Sequence, residues 1–482
     1  MYKYKTKPRD HQQEYLDKYK HKQIFAIFGE MGVGKSKMLC DNVGWAYSQG
    51  KINAWLCVAP KGVYLNWLNE EIPKHLGCEH IVKAWSTPKS EKKKTELKEF
   101  LTIERDQLKI FIINIEALRD VKGKAFKAAL YFVQHHDTFI TLDESTTIKD
   151  HKTQQSKAMH ALSRWCHWKR IASGMPAPQS QLDMFSQMGF LGESILGYRS
   201  YYAFRARYAE LINMSMGTRT FKKEVGPKNT EELKSKIAPF SIRIRKEDCL
   251  DLPDKIYTTR HIELSREQQK AYKQIKEEAY ALLDSGEVVT APIVITQLMR
   301  LHTVVCGFVR TETGGEQDFP VNPKLDALLN CIEEIGNEEK IIIWASYRRN
   351  IQSILRRLSE LYGKESVVGF YGDTSDEQRE YARTAFQDKG SPVRYFVGNP
   401  ASAKFGITLT ASSNVIYFSN DYNLEKRVQS EDRAHRIGQT RSVVYTDLIA
   451  PGTVDEKILK VLRNKRQLSA ELMNDKWREW LK

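Results

Sequence analysis

Ile24-Phe25-Ala26-Ile27-Phe28-Gly29-Glu30-Met31-Gly32-Val33-Gly34-Lys35-Ser36 is the stretch on which the reading of this chain turns. Its first five residues are an apolar run suited to a buried strand, and Lys37 to Ala46 brings apolar residues back at helical spacing. Strand, glycine loop and helix in that order are the context that makes Gly29 to Ser36 a phosphate site rather than a flexible turn. Gly29, Gly32 and Gly34 let the backbone fold tightly around an anion, with its N–H groups aimed from the start of a helix. Lys35 would neutralise phosphate charge and Ser36 would offer an oxygen to Mg2+, so a nucleoside triphosphate is the implied ligand.

The wider chain suits an α/β protein of several domains. Its 482 residues allow roughly three domains, and the balance of 75 Lys+Arg against 60 Asp+Glu leaves +15. That excess favours a polyanionic partner. A membrane surface is the competing polyanion, but no basic amphipathic helix or apolar run of about 20 residues stands out. Met1-Tyr2-Lys3-Tyr4-Lys5 lacks the apolar core of a secretory signal, and the seven cysteines are scattered without a Cys-x-x-Cys pair. Both point to a reduced, intracellular setting. His135-His136 and Cys166-His167 are read as structural, and Lys92-Lys93-Lys94 as a solvated helix face.

Short apolar runs alternate with helical patterns through lobe one, taken as residues 1–178. Expected strands there are Ala54–Ala59, Ile110–Asn114 and Phe139–Leu142. Residues 179–248 read as mainly helical, and 249–325 as a linker followed by a second helical stretch. Alternation resumes in lobe two, 326–452, with expected strands at 340–345, 367–370, 395–398 and 414–418, before a helical segment at 453–482. Lobe two has no phosphate loop of its own, which suggests one ATP site shared by two lobes.

Asp143-Glu144 closes an apolar strand, a position from which Asp143 can hold metal and Glu144 can orient and deprotonate a water. Gln429, Arg433 and Arg436 fall at i, i+4 and i+7, one face of a helix. Two arginines brought together suggest an anion between them, and arginines can stabilise charge on a transferring phosphoryl group. Spacing alone leaves open a basic helix in solvent or on nucleic acid.

These motifs together resemble the SWI/SNF-type branch of helicase superfamily two, in order and over nearly the whole chain. Gly29 to Ser36 is similar to that family's first motif, with Gly29 where its members usually carry aspartate. Pro8 to Gln12 resembles the segment whose glutamine reads adenine, which points to Gln12. Val58 to Lys61 with Asn66-Trp67, and Asn114 to Leu118, resemble motifs near the DNA track. Asp143-Glu144-Ser145-Thr146 departs from the usual Asp-Glu-Ala/Gly-His, while Ser173-Gly174-Met175-Pro176 stands for the element coupling hydrolysis to movement. In the second lobe, Ser346-Tyr347-Arg348, Gly372-Asp373, Gly406 to Thr410 and Gln429 to Gln439 complete the series.

The resemblance implies two RecA-like parallel-sheet lobes in tandem with α-helical protrusions between them. It implies ATP with Mg2+, nucleotide contacts that include Gln429, and Arg433 and Arg436 as arginine fingers. Lys61, Asn114, Ser346 and Thr408 would touch DNA, and Ser173 and Gly174 would couple the lobes. The expected partner is duplex or branched DNA gripped with little regard to sequence, with no membrane and a monomer sufficing. The chain is short for that family, which suggests a compact viral or bacterial type acting in branch migration or limited unwinding. Its place would be the cytoplasm or nucleoid, or a host's cytoplasm. An RNA-dependent ATPase, a duplex translocase that strips bound proteins, and a scaffold with a relic site are the alternatives.

Overall fold

The computed structural model describes residues 2–102, 106–216, 219–284, 291–310, 315–336, 338–405 and 407–472. Two compact units divide the chain, one of Met1–Ile212, Lys223–Asp251 and Gln467–Lys482, the other of Asn213–Lys222 and Leu252–Arg466. Each is built on its own sheet, and among the described residues every pairing within both sheets is parallel.

In the first unit β1 (Ile24–Gly29), β2 (Ala54–Ala59), β3 (His80–Ala84), β4 (Leu108–Asn114), β5 (Thr138–Asp143), β6 (Trp168–Ser173) and β9 (Ser241–Ile244) lie in the order β3-β4-β2-β5-β6-β1-β9. Strands buried on both faces need apolar residues on both, which is why β1 reads as a continuous run rather than an alternation. Phe25 and Ile27 pack on one face with Tyr15, Met38 and Val43. Ala26 and Phe28 pack on the other with Met184 and Phe190. This order makes β5, β6 and β1 neighbours, with Asp143 opposite Ala172 and Ser173 opposite Phe28. The loops leaving these three strands therefore emerge side by side, at the sheet edge where α/β folds hold ligands.

The stretch 179–248, expected to be mainly helical, is mixed. Helices Met184–Leu191, Tyr201–Tyr208 and Thr230–Ile237 are interrupted by the strands β7 (Ala209–Met216) and β8 (Arg219–Pro227), which pair with each other, and followed by β9. The alternation Ile212-Asn213-Met214-Ser215-Met216 is a strand period that the surrounding polarity masks.

The second sheet runs β10-β17-β16-β13-β15-β14, from β10 (Lys255–His261), β13 (Ile341–Trp344), β14 (Val367–Phe370), β15 (Tyr395–Gly398), β16 (Asn414–Tyr417) and β17 (Val443–Ile449). A small antiparallel pair, β11 (Phe308–Arg310) and β12 (Glu316–Asp318), falls between β10 and β13 in the chain. The interval taken as linker plus helices thus opens with a strand, since β10 pairs with β17 along its whole length. The half-polar sequence Lys-Ile-Tyr-Thr-Thr-Arg-His hides it, and its partner lies far along the chain. Of the expected C-terminal segment, 473–482 lies outside the described residues. No helix among the described residues is long and apolar enough to cross a membrane.

Lys324, on the helix Pro323–Ile335, is buried with its ammonium 2.6 Å from Asp455 Oδ2, and His302 Nε2 stands 3.4 Å from Oδ1. Tyr347, beside Ser346, shares a 2.9 Å hydrogen bond with His302 Nδ1. Burial favours the neutral Asp455 carboxyl, but Lys324 and then His302 overrule it and pull the group down to about 2. A folded-state value below the unfolded one stabilises above pH ~4, and the contribution disappears as pH falls through about 2. Asp455→Asn should cost at least about 2 kcal/mol at pH 7. In calorimetric scans the gap to the natural chain should narrow between pH ~4 and ~2; a gap independent of pH would contradict the assignment.

Candidate nucleotide site

The loop after β1 is shaped by its glycines. Gly32 and Gly34 hold φ of +89° and +83°, a region that side chains rarely enter. A Cβ on Gly34 would also overlap the amide of Gln12. Gly29 has ordinary backbone but no room, because a Cβ there would stand 2.8 Å from Val33 Cγ2 and 3.2 Å from Lys35 Cγ. The helix Lys35–Ser48 begins directly after the loop, with Ser36 in its first turn. Lys35 Nζ donates to the carbonyls of Gly29 (2.8 Å) and Glu30 (3.2 Å), so the loop's own backbone holds the ammonium in place.

Gln12 lies against this loop. Its Nε2 donates to Val33 O (3.3 Å) and Gly34 O (3.4 Å), while its Oε1 accepts from Arg9 N (3.0 Å). The helix that carries it, Asp10–Tyr19, is anchored by the buried Arg170. That guanidinium donates to Tyr15 Oη, Asn42 Oδ1 and the carbonyls of Tyr19 and Lys22.

Asp143 ends β5 with both carboxylate oxygens engaged. Oδ1 accepts from Glu144 N at 3.0 Å and Oδ2 from the Trp67 indole at 3.1 Å. Burial pushes its carboxyl above the ordinary value, against the opposing pull of Lys35, the indole and the Glu144 N–H. Glu144 takes φ +51°, one of two non-glycine residues at positive φ among those described. A glutamate held in that conformation beside a phosphate loop is strain of the kind that marks functional positions. Ser145 donates to Gln187 Oε1 (2.7 Å), whose Nε2 donates to Pro176 O (2.6 Å), tying the turn after Glu144 to the Ser173–Pro176 element. In that element Ser173 Oγ accepts from Met175 N at 3.2 Å. Gly174 lies beside Met31, a Cβ there reaching Met31 Cγ at 3.5 Å.

Sequence reasoning missed Arg243, on β9. It donates to Gly174 O (3.1 Å) and Phe28 O (3.4 Å) and pairs with Glu30 (3.4 Å). Glu30 Oε2 also accepts from Lys246 N at 3.0 Å. One guanidinium thus joins the glycine loop after β1 to the Ser173–Pro176 turn. Nothing short of knowing that β9 lies beside β1 could have located it.

In the second unit the helix Leu424–Ala434 carries Gln429 and Arg433 but ends before Arg436. The expected single helical face is corrected: His435 leaves helical geometry, its ring bonded to Pro253 O at 2.6 Å, and Gly438 takes φ +99°. The two guanidiniums converge nonetheless, Arg433 Nη1 lying 3.4 Å and Arg436 Nη1 3.3 Å from the carbonyl of Ile407. Gln429 O accepts from Arg433 Nε (3.1 Å), and Gln429 Nε2 donates to Glu425 (3.3 Å). Below them lies a buried ionic platform. Arg427 pairs with Asp447 (2.5 Å) and Glu431 (2.8 Å), and Glu431 with Arg466 (3.0 Å) and Lys255 (3.5 Å).

Of the four expected track residues, Lys61 and Ser346 lie just past the ends of β2 and β13, Asn114 is the last residue of β4, and Thr408 lies in the loop before β16. Lys61 follows β2 and is exposed, its N–H bonded to Glu116 Oε2 at 2.8 Å. Asn114 caps the next turn through Ala117 N (2.7 Å), Ser346 Oγ donates to Ser419 O (3.2 Å), and Thr408 adjoins Ile407. Gly406 lies outside the described residues. Among the described residues no three His, Cys, Asp or Glu side chains gather as a metal cluster, and the seven cysteines are free thiols.

Two parallel α/β units with a single phosphate loop define a two-lobed P-loop ATPase core. Residues 14–307 match the SNF2-related domain and 323–438 the helicase conserved C-terminal domain. The chain belongs to the SNF2-related family of helicase superfamily two, whose core is an ATP hydrolase of two RecA-like lobes. It is 26% identical to an uncharacterized ATP-dependent helicase of Mycoplasma genitalium, over 91% of this chain and 39% of that one. It is 28% identical to a putative ATP-dependent helicase/translocase of Bacillus subtilis, over 70% and 36%. The chain thus spans about two fifths of the length of these relatives. The SWI2/SNF2 ATPase core of Sulfolobus solfataricus, solved with dsDNA, is 27% identical with a TM-score of 0.43, covering 98% of this chain and 94% of that one.

The crowding at Gly29 has a measurable consequence. Val33 is β-branched and cannot turn away freely. Gly29→Ala should therefore weaken binding of a fluorescent ATP analogue roughly tenfold. Adding Val33→Ala should recover most of the loss; a single variant that binds as the natural chain does would contradict the packing argument.

Proposed function

We propose that this protein is an ATP-driven DNA translocase of the SWI/SNF type, working on duplex DNA and on its forks and junctions. The observation that carries the reading is that Lys35, after β1, and Asp143-Glu144, at the end of β5, lie at the same sheet edge on either side of β6, with Lys35 close enough to act on the Asp143 carboxyl. The paired arginines belong to a second unit that has the same architecture and no phosphate loop.

In this reading Gly29, Gly32, Gly34 and Lys35 cradle the triphosphate and Gln12 reads the base from beside the loop. Ser36 and Asp143 would hold Mg2+. Their hard oxygens suit that ion, and two fixed donors already orient the Asp143 carboxylate. When bound, the ion would supply positive charge that offsets the negative charge of the triphosphate. Glu144 positions the attacking water and takes its proton. Arg433 and Arg436, with Gln429 beside them, stabilise the charge that develops on the transferred phosphoryl group. Hydrolysis then requires closure of lobe two on lobe one, and Ser173 and Gly174 pass that movement on.

Lys61, Asn114, Ser346 and Thr408 would hold backbone phosphates at strand ends of both lobes, so a cycle of closure shifts one grip against the other. Phosphate contacts carry no base information, which suits a chain of net charge +15. Branch migration and limited unwinding are the outcomes expected on branched substrates. A scaffold role is disfavoured by the strained Glu144 and the two anchored carboxylate oxygens of Asp143.

Turnover of ATP should rise on adding duplex, forked or four-way-junction DNA, with the stimulation falling steeply as salt is raised. Lys35→Ala should remove it by roughly two orders of magnitude or more. Phosphate release with each DNA, with single strands and with RNA checks this. Preferential stimulation by RNA would favour an RNA-dependent ATPase, and no response to any polynucleotide would defeat the translocase reading.

A further inference from the structure

Trp67 does not sit where its neighbours in sequence would put it. It belongs to the segment after β2 that carries Lys61, yet its side chain is buried and its Nε1 reaches Asp143 Oδ2 at 3.1 Å. The ring stands edge-on to Trp55, with centroids 5.7 Å apart at 90°. Trp55 in turn donates to Thr141 Oγ1 at 2.9 Å, two residues before Asp143. Two indoles from one side therefore hold the end of β5.

The backbone at Trp67 is also unusual. Trp67–Glu71 is a π-helical turn between the short helices Tyr64–Asn66 and Ile72–His75, closed by Ile72 N–H on Trp67 O. Such a turn accommodates one residue more than an α-helix does and recurs at functional sites. Return to α-helical pairing would rotate Trp67 by about 100° about the helix axis. That rotation would break the bond from Nε1–H to Oδ2 without disturbing the Glu144 N–H that fixes Oδ1.

We infer that Trp67 is a positioning residue that transmits occupancy of the polynucleotide track to the Asp143 carboxylate. The inference rests on the translocase reading. Phosphate gripped at Lys61 pulls on the continuous segment 60–75, the π turn shifts, and the indole changes its hold on Asp143. The track then acts on the nucleotide site within lobe one, through one hydrogen bond from an uncharged donor. The segment with Thr146 in place of the family's histidine need not carry that signal.

The test is a thermodynamic cycle on the full chain: affinity for Mg·ADP with and without duplex DNA. Linkage requires the two ligands to change each other's affinity by one common factor. The natural chain should show a factor of roughly five or more. Trp67→Phe keeps the ring and loses the N–H, and should bring the factor to within about twofold of unity. Trp55→Phe, which removes the analogous N–H from the same aromatic pair, should retain it. Retained coupling in Trp67→Phe overturns the inference, as does equal loss in both variants, which would mean packing alone. If Trp67→Phe does not fold, amide exchange in the natural chain decides. Duplex DNA should then change exchange at Ile72 more than at Trp55, and no change there is contrary. A natural chain whose hydrolysis and Mg·ADP affinity both ignore every polynucleotide would defeat the translocase reading itself. Strong stimulation together with an intact cycle in Trp67→Phe would defeat this inference alone.

Discussion

The parallel adjacency of β5, β6 and β1 is the constraint on which the nucleotide site depends. Three loops far apart in sequence leave the same edge of one sheet, so Lys35, Asp143 and the Ser173-Gly174 turn need no long side chains to meet. Parallel strands require buried helical crossovers, and the apolar runs of β1, β2, β4 and β5 are what fills both faces. β9 extends that order by one strand and brings Arg243 across the glycine loop and the Ser173-Gly174 turn. Lys35, held by Gly29 and Glu30 carbonyls, presents its charge with little rearrangement left to make.

The second unit uses buried charge to similar effect. Arg427, Glu431, Asp447, Lys255 and Arg466 form a platform under the helix of Arg433. Buried ion pairs add little net stability compared with a well-packed apolar core. What this one does is restrict the helix to one rotation and height, since any shift would leave several buried charges unpaired. The convergence of Arg433 and Arg436 on the Ile407 carbonyl follows from that fixed helix and from the break at His435.

Much of this was legible in the amino-acid order, and the gaps have physical causes. The loop Gly29–Ser36 and the pair Asp143-Glu144 are local signals whose flanking residues already imply strand and helix. Arg436 was placed on the wrong backbone because periodicity continues past a helix end, which here is set by a ring bond to Pro253. β9 and β10 were hidden because strands earn their identity from distant partners, β1 for one and β17 for the other. Asn114, expected on a track, serves first as a turn cap, and Trp67 first as a donor to Asp143. Short polar and aromatic residues have several local uses, and sequence does not choose among them.

In the proposed motor the labour is divided, lobe one binding the nucleotide and lobe two completing its hydrolysis. Paired titrations of ATP-analogue binding and single-turnover hydrolysis on the Arg433→Ala, Arg436→Ala double variant test it most directly. Such a division requires binding within about threefold of the natural chain and DNA-triggered hydrolysis lower by roughly 10³-fold or more. Hydrolysis that survives the loss of both guanidiniums would contradict it.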